Sequence, residues 1–130
     1  MENVVDKIND IKVALEDVIL ENNLKCYKGD VNDILRVYSP DFCDMMLSFY
    51  PGSSIMLNNK FNHTAILIRN NLYDESGLIN RANYFLVGEE ELNYIRKSMP
   101  HLSDLVLNEI SSKLNSNSLE YVLRKNKPST

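Results

Sequence analysis

Three side chains in the middle of the chain could act together on a substrate: Cys43, His63 twenty residues later, and Asp74 eleven residues after that. A thiol at its ordinary pKa is mostly protonated at neutral pH, so sulfur attacks only with help. An imidazole partner and a helix N-terminus each favour the thiolate. A carboxylate then fixes the imidazole tautomer and steadies its charged form. Nucleophile, base and orienting acid would suit attack on a carbonyl carbon, as in peptide or amide hydrolysis, deamidation or acyl transfer. The oxyanion would be held in part by the backbone N–H of the nucleophile.

Each of the three residues needs an element to hold it. Ser39-Pro40-Asp41 reads as a helix start, with serine at the N-cap, proline at the first helical position and an acid in the first turn. Phe42, Met45, Met46 and Phe49 form the apolar face, and Pro51-Gly52 stops the helix. Cys43 is then the fourth helical residue, near the positive end of the dipole. Asp41 and Asp44 flank it and act the other way, raising the thiol pKa. No Gln or Asn stands a few residues ahead of Cys43 as an oxyanion donor; Asn32 is the nearest amide.

His63 opens the strongest strand signal in the chain, His63 to Ile68, with β-branched Thr64, Ile66 and Ile68. Asn70-Asn71 suits a tight turn, and Leu72 to Asp74 runs back. A turn at Asn70-Asn71 places Asp74 opposite Leu67, roughly 13 Å along the strand from His63. A turn one residue earlier, at Arg69-Asn70, makes Asp74 a diagonal neighbour of His63. The triad therefore requires the earlier turn or a bulge.

The flanking sequence supplies a scaffold. Residues 2 to about 23 read as one helix, with Val4, Ile8, Ile11, Leu15 and Val18 in a stripe that Val5 and Ile19 widen. That stripe is expected to pack on the domain core; a homodimer through the N-terminal helix is its other use, though under three heptads is short for a coiled coil. Leu24 to Tyr27 reads as a short strand, and Asp30 or Asn32 can cap a helical segment over Ile34, Leu35 and Val37. Ser53 to Asn58 and Tyr84 to Val87 complete the strands, and Gly77 ends the hairpin. Glu89-Glu90-Glu91 begins a helix that runs to Met99, Pro100 breaks it, and His101 to Leu114 forms another, with His101 at its N-terminus. Leu119 to Leu123 adds a last turn or strand. The expected class is α+β: N-terminal helices on a small antiparallel sheet, then C-terminal helices. Residues 1–125 form one domain and 126–130 a disordered tail.

Composition narrows the function. With 130 residues, 44% hydrophobic and 25% charged, this is an ordinary globular chain. A net charge of −4 argues against a nucleic-acid backbone as partner. The seventeen asparagines fit an AT-rich coding sequence and carry no functional inference. The N-terminal stretch mixes charges among its apolar residues, which suits neither a signal peptide nor a membrane span, so a cytoplasmic protein is expected. Cys26 and Cys43 are then expected as free thiols. There is no CxxC, HExxH, Gly-rich phosphate loop or calcium loop, and two histidines rule out a His-rich metal centre. No cofactor or metal is expected.

Asp41-Phe42-Cys43 leading an apolar helix, then His63-Thr64-Ala65-Ile66-Leu67-Ile68, then Leu72-Tyr73-Asp74-Glu75-Ser76-Gly77, then the acidic helix start at Glu89, resembles the small papain-like and transglutaminase-like cysteine domains, including short phage and bacterial versions. The resemblance is one of residue types and order in the middle of the chain. It implies a papain-like core with Cys43 as nucleophile, His63 as base and Asp74 as the acid that orients it, acting on a peptide or amide bond. A degenerate, inactive version of that fold is a further reading. A different class of function also fits a small acidic α+β chain: a binding module such as an immunity protein, inhibitor or adaptor. Asn58 to Asn62 and Asp74 to Asn83 would then be loops that meet a protein or peptide partner.

Overall fold

A computed structural model describes residues 3–114. The first helix, α1 (Val4–Glu21), is capped by Asn3, whose side chain accepts a hydrogen bond from Val5 N. The expected stripe is buried, with Ala14 added to it, while Val5 is exposed. That stripe packs against other helices of the same chain, so the face that could have been a dimer seam is used in the chain's own core. No strand forms at Leu24 to Tyr27, where Lys25 and Cys26 are exposed. Leu24 and Tyr27 pack on the core, and the Tyr27 ring meets Tyr38 edge-on at 5.5 Å.

The short α2 (Val31–Val37) starts on Asp30, which exchanges hydrogen bonds with Asp33 in a capping box. Next comes α3 (Ser39–Phe49), which begins one residue earlier than the serine cap implies, so Cys43 is its fifth residue. The run from Ser39 to Met46 is buried without a break. A helix buried on all sides sits inside the fold rather than on its surface. The Ser39 side chain does not cap the helix and is used across the core instead.

Among the described residues, five antiparallel strands follow: β1 (Ser54–Asn58), β2 (Thr64–Ile68), β3 (Asn71–Asp74), β4 (Gly77–Ile79) and β5 (Tyr84–Leu86). The order across the sheet is β4-β3-β2-β1-β5, so the chain crosses over after β4 to add β5 beside β1. One face of the sheet, with Ile55, Leu57, Ile66 and Ile68, joins the helices in the main core, where α3 lies over β2. The other carries a smaller cluster of Met56, Ala65 and Leu72 under Leu67, Ile79 and Tyr84. This is the expected α+β class with an antiparallel sheet.

The described chain closes with α4 (Glu89–Ser98), acidic in its first turn, and α5 (Asp104–Lys113), which is capped by Ser103 and packs on α1. His101 lies in the connection rather than in the helix. The readings at 119–123 and 126–130 lie outside the described residues. Among the described residues, no helix is long and apolar enough to cross a membrane.

Candidate functional site

The β1–β2 loop builds the seat of His63. Asn58 Oδ1 accepts from both Asn62 N and His63 N, at 2.9 and 3.0 Å, and Asn58 N donates to His63 O at 3.0 Å. His63 thus continues the β1–β2 ladder just ahead of Thr64. On the other side of β2, Ile66 pairs with Tyr73 and Ile68 with Asn71, leaving Arg69 and Asn70 as the two loop residues. Both have positive φ, 50° and 72°, as a tight two-residue hairpin turn of the primed type requires. The turn is one residue earlier than Asn70-Asn71 implied, and it pairs β-branched Ile66 with aromatic Tyr73. This register brings Asp74 Oδ2 to 3.9 Å from His63 Nε2.

The nearer carboxylate is that of Glu75, in the turn between β3 and β4, with Oε1 3.0 Å from the same nitrogen. The other ring nitrogen, Nδ1, faces the Tyr84 hydroxyl of β5 at 2.8 Å. Asp74 is anchored by its second oxygen: Oδ1 accepts from Ser76 N at 2.7 Å and from Ser76 Oγ at 2.5 Å. His63, Asp74 and Glu75 are all buried. Burial alone would raise the Glu75 carboxyl, but the hydrogen bond and charge of His63, with help from Arg36, hold it below the usual carboxylate range. Burial, followed by the charges of Asp74 and Glu75, pushes the Tyr84 hydroxyl up to about 12.

Cys43 is held in the core by a different bond. It has no exposed surface, and its thiol donates to Thr64 Oγ1 at 3.5 Å. Thr64 passes the bond on: its hydroxyl donates to Ser39 Oγ at 3.1 Å and its backbone N–H to the same oxygen at 3.0 Å. Burial pushes the thiol far above its ordinary value of 9; the Thr64 hydrogen bond opposes this, and the charges of Asp44, Glu75 and Asp74 add to the rise. Side chains alternate along a strand. Thr64 turns towards α3 and Cys43, so His63 and Ala65 leave the strand on the other side, where Tyr84 also packs.

The structure therefore brings His63 and Asp74 together and gives Cys43 a different partner. Sequence reasoning missed Glu75, which directly follows the chosen Asp74, and Tyr84, which arrives by the β4-to-β5 crossover. The adjacency of Asp74 and Glu75 was the available signal for the first. It also missed the role of Asp41, which is fully buried: Oδ2 accepts from Leu102 N at 2.6 Å, and Oδ1 faces His101 Nδ1 at 3.7 Å. His101 Nε2 donates to Ile95 O at 3.1 Å. This pair ties the start of α3 to the α4–α5 connection.

Next to the His63 cluster lies a cleft of about 520 Å³, lined by Arg36, Val37, Asn58, Lys60, Asn62, His63 and Tyr84. Among the described residues, two cations and two amides border it, and no carboxylate belongs to its lining. Among the described residues, the groups able to share a metal ion are His63, Asp74 and Glu75, with one ligand atom each lying within 4.8 Å of the others. The chain matches no family model, no curated protein and no solved structure.

Proposed function

We propose that this chain is a non-catalytic binding module on a scaffold resembling the small cysteine hydrolases, and that Cys43 fills a core position there instead of acting as a nucleophile. The observation that carries this reading is the sealed thiol: it is wholly buried, bonded to Thr64 and pushed up in pKa, while both ring nitrogens of His63 are engaged by Tyr84 and Glu75. A thiol in that setting supplies neither the thiolate nor the access that attack on a carbonyl needs.

The recognition surface is the cleft beside His63. Arg36 and Lys60 offer charge, Asn58 and Asn62 offer amides, and Tyr84 offers a half-buried ring. That combination suits an acidic protein or peptide segment, with Arg providing the fork that carboxylates fit. The β1–β2 loop, expected from the sequence as a partner-binding loop, borders this cleft. A reducing cytoplasm fits two free thiols.

A cysteine hydrolase using Cys43, His63 and Asp74 is the second reading, and the close approach of Asp74 to His63 favours it. The test is binding. Acidic peptides presented on an array should be captured by the wild-type chain, and reversal of charge by Arg36→Glu with Lys60→Glu should abolish capture. Capture that survives the double reversal would overturn the assignment of the cleft.

A further inference from the structure

We propose that His63 Nε2, Asp74 Oδ2 and Glu75 Oε1 form a binding site for a single divalent transition cation of the zinc class. This goes beyond the binding reading and rests on separate observations, so either can fail without the other.

The geometry fits. Nε2 lies 3.0 Å from Glu75 Oε1 and 3.9 Å from Asp74 Oδ2, and all three ligand atoms fall within 4.8 Å of one another. Ligands about 2.1 Å from a tetrahedral zinc are about 3.4 Å apart, so small side-chain adjustments would seat the ion. One imidazole with two carboxylates is a donor set that such cations accept.

The surroundings are those of a supported site. Metal-bound histidines donate their second ring N–H to an oxygen that fixes the ring. Here Tyr84 Oη stands 2.8 Å from Nδ1 and can accept that proton. The anchored Asp74 Oδ1, held by Ser76, leaves Oδ2 directed at Nε2. Two buried carboxylates share one imidazole, and buried charge of one sign calls for compensation. Arg36 contributes from outside the cluster and lines the cleft that His63 also reaches. On binding, the cation replaces any proton on Nε2, which passes to solvent, and no electron is transferred.

The test uses cobalt(II), then zinc, on the full chain. One equivalent of cobalt should give visible ligand-field bands without a near-ultraviolet thiolate band, and zinc should displace it. Glu75→Gln and His63→Gln should each weaken binding on the order of 100-fold or more, and Tyr84→Phe should weaken it by about 10- to 100-fold. Cys26→Ser, which removes the exposed thiol, should leave the bands unchanged. The proposal is overturned if wild type shows no saturable one-equivalent binding, if the bands carry thiolate character and vanish with Cys26→Ser, or if Glu75→Gln binds as wild type does. The wild-type spectrum decides the matter even if His63→Gln fails to fold.

Discussion

Asp74 Oδ2 stands 3.9 Å from His63 Nε2 because the β2–β3 turn falls at Arg69-Asn70. Moving that turn one residue towards Asn71 would carry Asp74 along the strand, away from the imidazole. The register is thus a structural requirement of the cluster, and it has a cost: Arg69 adopts a left-handed φ of 50°, which a side chain with Cβ disfavours by about 1–2 kcal/mol.

That cost predicts a stabilising change. Replacing Arg69-Asn70 by Asn-Gly, the pair such turns prefer, should raise stability by about 1 kcal/mol in urea unfolding. A loss of stability would mean that the turn does not sit where both residues have positive φ.

Thr64 links α3 to β2 through Ser39 and Cys43. Thr64→Val keeps the shape but removes the hydroxyl, leaving a buried thiol without its acceptor. A loss of about 1–3 kcal/mol is expected. An unchanged urea midpoint would show that this chain of bonds contributes nothing.

Asp41→Ala should destabilise by about 3 kcal/mol or more, since it strips Leu102 N of its acceptor and removes the carboxylate facing His101. Combining it with His101→Ala should cost less than the sum of the two single changes, because the residues share one contact. Strict additivity in the double-mutant cycle would contradict the coupling.

Much of the scaffold was legible from local signals. The α1 stripe, the Asp30 cap and the β-branched run from Thr64 each express a physical preference within a few residues of sequence. The surroundings of Cys43 were not legible. Its helix shows an apolar face of Phe42, Met45, Met46 and Phe49, which implies one exposed side, yet everything from Ser39 to Met46 is covered because the sheet and other helices enclose it. The three-residue β4 is too short for alternation to appear. Glu75 and Asp74 have equal claims in the sequence, and a turn geometry decides which meets Nε2 more closely. Tyr84 becomes a neighbour of His63 by a crossover, a long-range event that no local pattern encodes.

Alkaline pH offers a check on the Tyr84 environment. Its hydroxyl holds its proton more tightly in the folded state, with a pKa raised from 10.0 to about 12. A raised folded value contributes stability that is complete below the unfolded pKa and is lost as pH rises through the folded one. The stability difference between wild type and Tyr84→Phe should therefore shrink or reverse as pH climbs from 10 towards 12. Parallel unfolding curves across that window would contradict the placement.

The most direct test of the central claim is the reactivity of the two thiols in the native chain. A maleimide or disulfide probe at neutral pH should modify exposed Cys26 readily and leave buried Cys43 unmodified until the protein unfolds, as read by peptide mass spectrometry. Rapid labelling of Cys43, ahead of Cys26, would reveal an activated thiolate and contradict the reading of Cys43 as a core residue.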